Sequence, residues 1–254
     1  MQEILNLLLN KKISIEEAEK ELKAYNIQEI TNNIKLDQNR EVRAGVPEAI
    51  YAEGKTNTDL INLINNINFK KQVLITKLDQ EKYEKIKDKL KIPDNINVDY
   101  YNKAKILTLK KEDNIKIGKI GIITAGTSDI PIAEEARITA QLAGIEVIYS
   151  YDVGVSGIHR LFDQMKVMID EEVQTIIVLA GMEGALPSVV AGLIDVPIIA
   201  VPTSTGYGVG QKGFVALFSM LQSCAPGLSV VNIDNGYGAA VNSIILLKQI
   251  NKKK

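Results

Sequence analysis

The sequence predicts an α/β protein. A three-layer αβα domain with a parallel sheet spans residues 115–254, and a smaller α/β module precedes it over residues 1–114. Three observations predict this. Beyond residue 117, runs that are apolar on both faces alternate with helical segments, the pattern of a parallel sheet covered on two sides. Glycine clusters follow those runs at 126, 181, 206–210 and 236–238, and in open α/β sheets the loops beyond the strands' carboxyl ends are where ligands bind. Composition changes abruptly at the charged, turn-prone Lys110-Lys111-Glu112-Asp113-Asn114, which sets the domain boundary near residue 115.

In chain order, Ser14 and Glu17 have capping-box spacing and start a helix over residues 15–25. Ala49-Ile50-Tyr51 and Val73-Leu74-Ile75 predict short strands, separated by an amphipathic stretch over 59–67. Residues 81–90 are charged with helical spacing, and AKILTL predicts another strand. In the C-terminal part KIGIITAG is the first strand, and Pro131, suited to a helix's first turn, opens a helix to about residue 143. IEVIYSYDVG then leads into a helix near 158–169, and TIIVLAGM into one at 186–193. VPIIAVP, a helix over 214–222, LSVVNIDNG and a last helix complete the series.

Composition excludes several classes of function. The 254 residues are 46% hydrophobic and 24% charged with a net charge of −1, and the only dense basic run is Asn251-Lys252-Lys253-Lys254. That leaves no electrostatic footprint for nucleic acid. No uninterrupted apolar stretch reaches the length of a membrane span, and the apolar run after Glu3 is too short for an export signal, so a cytoplasmic location with no membrane partner is expected. The single cysteine, Cys224, excludes an internal disulfide and thiolate-rich zinc sites. Any metal must then bind oxygen ligands.

Four places carry candidate chemistry. After the first strand, Gly126, Thr127, Ser128 and Asp129 precede Pro131: helix-start N–H groups and hydroxyls there suit a phosphate, and Asp129 is either a cap or a grip on a ribose hydroxyl or a proton. The loop is neither GxGxxG nor GxxxxGK[ST]. After the second strand, His159, the only histidine, and Arg160 stand where they can contact phosphate or carboxylate, set against the plain reading of a capping or packing histidine. After the third, Gly181-Met182-Glu183-Gly184 places a carboxylate between glycines, a candidate base weighed against a solvated loop residue. Cys224 taken alone reads as a small, inert hydrophobe near a helix end.

These motifs carry a resemblance. From about residue 120 to 250 the chain resembles the PurE family, which acts on aminoimidazole ribonucleotide. Ser128-Asp129-Ile130-Pro131 is similar to its phosphate-binding SD turn, Ser156-Gly157-Ile158-His159-Arg160 to its SAHR loop with one residue inserted, and 180–187 to the loop lining its carboxylation site. Glu183-Gly184-Ala185 in place of a His-bearing loop, Cys224, Gly206-Tyr207-Gly208-Val209-Gly210 and 232–238 depart from PurE and resemble the LarB family instead. So do Asp37, Arg40, Arg43, Gly45, Pro47-Glu48, Ala49-Ile50-Tyr51 and Gly54-Lys55-Thr56 in the N-terminal module. The resemblance implies a PurE-like C-terminal domain and carboxylation, with CO2 or bicarbonate, of the pyridinium ring of nicotinic acid adenine dinucleotide. It further implies hydrolysis of the phosphoanhydride, feeding synthesis of a nickel-pincer nucleotide cofactor.

A pyridinium cannot attack CO2 until a nucleophile adds to it. The resemblance assigns that addition to Cys224, at ring C4, which makes C5 an enamine carbon. Glu183 is the preferred base for the C5 proton, with Asp129 as the competing assignment. Thr127, Ser128, His159 and Arg160, with Gly126, Gly181 and Met182 of the same loops, would line the substrate, and Arg40, Arg43 and Lys55 would meet its anionic parts. No organic cofactor is implied; Mg²⁺ held partly by substrate phosphates would suit the hydrolysis, with ligands the sequence does not identify. A homo-octamer is expected from the resemblance. Two other readings stand beside it: a PurE-like carboxylase or mutase acting on a ribonucleotide, and a non-catalytic nucleotide-binding module.

Overall fold

The computed structural model describes residues 2–24, 27–31, 34–37, 46, 49–67, 69, 72–111 and 116–251, and side chains for 4–19 and for those described from 46 onward. Helices α1 (Gln2–Leu9) and α2 (Ile15–Ala24) lead the chain, and the capping box expected at Ser14 forms: Ser14 N donates to the Glu17 carboxylate and Glu17 N to Ser14 Oγ. Strands β1 (Ile27–Thr31) and β2 (Ile34–Asp37) pair antiparallel. A four-stranded mixed sheet follows, in the order β3 (Ala49–Tyr51), β4 (Val73–Thr76), β6 (Ile106–Lys110), β5 (Asn97–Tyr101). Helices α3 (Asn57–Asn65) and α4 (Gln80–Ile86) pack their apolar sides on it through Leu60, Leu63, Ile64 and Ile86.

The second sheet positions the site. Its five strands, all parallel, run in the order β11 (Leu228–Val230), β10 (Ile198–Pro202), β9 (Ile176–Ala180), β7 (Lys119–Thr124), β8 (Glu146–Ser150). Every residue of β9 and β10 is buried, as strands without a solvent face require. Helices α5 (Ile130–Leu142) and α9 (Gly236–Asn251) cover one face through Ala133, Ala136, Ala240 and Ile244. Helices α6 (His159–Asp170), α7 (Leu186–Ala191) and α8 (Phe214–Leu221) cover the other through Leu161, Met165, Leu186 and Ala216. The three-layer αβα arrangement with a smaller α/β part before it is thus present. Because β8 lies on one side of β7 and β9 on the other, strand order reverses beside β7, where the loops that follow β7 and β9 are neighbours and a ligand site is expected in folds of this kind.

Two local expectations are corrected, and one strand was not foreseen. The helix expected over 81–90 ends at Ile86 and continues only as a 3₁₀ turn, Lys87–Lys89. LSVVNIDNG yields only the three-residue β11, because Asp234 turns back with φ 55° and Asn235 caps α9. Strand β5 goes beyond what the sequence predicts; it forms by pairing with β6, a contact its residues do not announce.

Candidate active site

Asp129 is the centre of the glycine-bearing loops. It stands on a 3₁₀ turn, Thr127–Asp129, between β7 and α5, and is only 2% exposed. Its Oδ2 accepts from Gly126 N at 2.8 Å, and its Oδ1 accepts from the hydroxyls of Thr203 and Thr205, each at 2.7 Å. Both threonines come from the loop after β10, and sequence reasoning missed them: polar residues after a strand read as ordinary loop. The loop after β9 joins the same knot. Met182 N donates to the Thr205 carbonyl at 3.1 Å, and a Cβ on Gly181 would stand 2.0 Å from that carbonyl oxygen and 2.9 Å from Thr203 Oγ1. Only glycine lets the strand end approach so closely.

Glu183 projects from the tightest part of that loop. Met182 has φ 49° and Gly184 φ 65°, and Gly184 N donates to the Gly181 carbonyl at 2.8 Å, so the turn presents Glu183 exposed while its backbone is fixed. A non-glycine residue such as Met182 at positive φ is uncommon and marks a backbone held by its surroundings. Thr127 and Ser128, beside Asp129 in the loop after β7, are both exposed.

The loop after β8 closes a third side. Val153 N donates to the Thr124 carbonyl and Asp152 N to the Thr124 hydroxyl, and a Cβ on Gly154 would lie 2.6 Å from the Ala125 carbonyl. Arg160 forms an ion pair with Asp152 at 2.8 Å and lies across Gly157, where a Cβ would meet its guanidinium at 2.7 Å. His159, the first residue of α6, is exposed beside it. Close by, Glu134 accepts from Arg137 at 2.6 Å and from the Tyr151 hydroxyl. Burial works to raise the Glu134 carboxyl, but the Arg137 and Tyr151 hydrogen bonds outweigh it and hold the group below its ordinary value. Burial first, then that same carboxylate, push the Tyr151 phenol well up.

Other predicted residues lie apart. Cys224 is exposed in the link between α8 and the amino end of β11; its neighbour Ser223 meets Ser188 of α7 at 2.8 Å, and no described hydrogen bond joins Cys224 to Asp129, Glu183, His159 or Arg160. Lys55 belongs to a turn whose Ala52 and Lys55 carbonyls accept from Lys82 Nζ, while Thr56 caps α3 in a capping box with Asp59. Arg40 and Arg43 lie outside the described residues. Among the described residues no group of three His, Cys, Asp or Glu side chains could hold a metal, so a Mg²⁺ cage made by the chain alone does not fit them. No described helix is long and apolar enough to cross a membrane.

Comparison with known proteins adds the following. Residues 28–112 match the family model described as LarB/PurE-like N-terminal domain, and residues 119–253 match AIR carboxylase. The chain is 46% identical, over 99% of its length and 98% of the other's, to the uncharacterized protein MJ0165 of Methanocaldococcus jannaschii. Half of it, 50%, is 34% identical to 78% of the N5-carboxyaminoimidazole ribonucleotide mutase of the same organism. The crystal structure of a single-substitution variant of Treponema denticola PurE2 overlaps 53% of this chain and 91% of its own at a TM-score of 0.40 and 17% identity.

Proposed function

We propose a reaction for this chain from one premise: it belongs to the LarB family, in which a LarB-type N-terminal domain precedes a domain of the AIR carboxylase and mutase type. The reaction is carboxylation at C5 of the pyridinium ring of nicotinic acid adenine dinucleotide and hydrolysis of its phosphoanhydride. The products are pyridinium-3,5-biscarboxylic acid mononucleotide, a precursor of the nickel-pincer cofactor, and AMP. The observation that carries this reading is the joining of the two matches in one chain, since the relative named as a ribonucleotide mutase aligns with only half of it.

The geometry supports distinct roles for the two carboxylates. Asp129 has both oxygens occupied by donors and almost no solvent access, which suits a brace that keeps three loops in register. Glu183 is exposed, and a base must touch the proton it removes. In the proposed sequence the Cys224 thiolate donates its pair to ring C4 and C5 attacks CO2. Glu183 then takes the C5 proton, and the thiolate leaves with its pair to restore the aromatic ring. Thr127, Ser128, His159 and Arg160 hold the anionic groups of the substrate.

Because Cys224 lies in the link to the amino end of β11 while Glu183 stands beyond the carboxyl end of the parallel β9, the thiol and the base of one site belong in this reading to different copies of a homo-oligomer. The exposed Phe214, Phe218 and Leu221 along α8, which leads directly to Cys224, give a second copy an apolar surface to cover. Incubation of purified protein with nicotinic acid adenine dinucleotide and labelled bicarbonate tests the proposal. Labelled mononucleotide and AMP are the expected products, and intact dinucleotide after long incubation would sink it. Turnover of aminoimidazole ribonucleotide instead would favour the purine reaction.

A further inference from the structure

We propose that Lys77 is a positioning residue: it fixes the loop that holds Asp129, and does so only while the N-terminal sheet is docked on α5. Its effect on turnover rests on the reaction proposed above; its effect on the loop does not.

Lys77, just after β4, has φ 55°, a region that non-glycine residues seldom occupy. Its neighbours are pinned, for the Thr76 carbonyl accepts from Ala52 N and Leu78 N donates to the Lys105 carbonyl. From this position Lys77 Nζ reaches Glu135 Oε2 at 2.9 Å and the Asp234 carbonyl at 3.4 Å.

Glu135, on α5, is only 1% exposed, and a carboxylate that deep needs partners to remain there. Its two described partners, the Thr76 hydroxyl and the Lys77 ammonium, both come from the N-terminal sheet. Asp234 is the second contact, and it too has an unusual backbone, φ 55°. Its N–H donates to the Pro202 carbonyl at 2.9 Å, and its Oδ1 accepts from Ser204 N at 2.8 Å. Ser204 lies between the two threonines whose hydroxyls hold Asp129. There is no slack in this corner: a Cβ on Gly236 would stand 2.2 Å from the Ile132 carbonyl and 3.2 Å from Glu135 Oε2.

A contiguous run of contacts therefore leads from Lys77 through Asp234 and Ser204 to Thr203, Thr205 and Asp129. If Lys77 only neutralised Glu135, removing both charges together would leave the loop unaltered. If it positions the loop, the loop loosens even when no unpaired charge is left behind.

The experiment compares wild type, Lys77→Arg, Lys77→Met and Lys77→Met/Glu135→Gln in the full-length protein, the double variant guarding against unfolding caused by a lone buried carboxylate. Hydrogen exchange at the Ser204 amide should quicken about tenfold or more in both Met variants, with the β7 amides unchanged. In the same two variants kcat for dinucleotide carboxylation should fall roughly a hundredfold. KM should stay within about twofold of wild type. Lys77→Arg, which keeps a cation of similar reach, should restore most of both readouts. Wild-type Ser204 exchange and wild-type kcat in the double variant would overturn the proposal. Should the wild-type protein itself leave the dinucleotide intact, the proposed reaction fails, and Ser204 exchange alone still decides the role of Lys77.

Discussion

Solvent reaches Glu183 but hardly reaches Asp129, although both carboxylates stand beyond the carboxyl ends of the same sheet. Asp129 was legible in the sequence as a residue of consequence because a strand, a polar turn and Pro131 converge on it. Its hydroxyl partners were not legible, since Thr203 and Thr205 are 74 and 76 residues away in the chain. The role proposed for Cys224 rests on family resemblance, and it is tested directly by Cys224→Ser, which keeps the size but replaces the thiol nucleophile by a hydroxyl. Carboxylation should fall by about a thousandfold or more in steady-state assays while dinucleotide binding survives; near wild-type carboxylation would return Cys224 to a structural role. The Tyr151–Glu134 pair makes a prediction about pH. Because the folded Tyr151 phenol is raised, its contribution to stability is complete below the ordinary tyrosine value and is lost as pH rises through the folded one. The Glu134 carboxyl is lowered, so its contribution is present above the ordinary carboxyl value and is lost as pH falls through the folded one. In an ultraviolet titration of the native protein between about pH 9 and pH 11, wild type and Tyr151→Phe should then give the same tyrosinate increment. A larger increment in wild type would show that Tyr151 ionises normally.

The loops after β7, β9 and β10 interlock through glycines, and the glycines differ sharply in what they tolerate. Gly181 faces Thr205, where a Cβ has no room, whereas a Cβ on Gly126 would meet only Asp129 Oδ2, at an ordinary 3.7 Å. Gly181→Ala should cost about 1–3 kcal/mol. Thermal unfolding should then occur several degrees lower than in wild type, with Gly126→Ala nearly unchanged; equal melting of the two variants would refute the packing argument. The central strands β7, β9 and β10 were legible because they are buried on both faces and read as continuous apolar runs. Strand β5 was not legible, for its conformation depends on β6, and α4 was overextended because charged residues with helical spacing do not reveal where the apolar face ends. Turn chemistry was more reliable at Ser14, whose capping box with Glu17 forms as its spacing predicts.

At the scale of the whole molecule, the proposed site draws on more than one copy of the chain. Mixing inactive Cys224→Ser with inactive Glu183→Gln subunits, and letting them reassemble, should then regenerate about a quarter of the sites in wild-type form. Recovery of activity in proportion supports shared sites, and its absence in verified mixed oligomers places both groups in one copy or removes one of them from the chemistry. Nothing in the sequence announced what joins the two larger sheets. The Lys77–Glu135 pair spans 58 residues, and the contact from Lys77 to the Asp234 carbonyl spans 157. That last separation has a consequence for the birth of the protein. At the pace of ribosomal synthesis, on the order of ten to thirty seconds pass between the appearance of Lys77 and that of Asp234. Throughout that interval the Lys77 ammonium has no Asp234 carbonyl to meet, so this link to the site can form only after synthesis has passed Asp234.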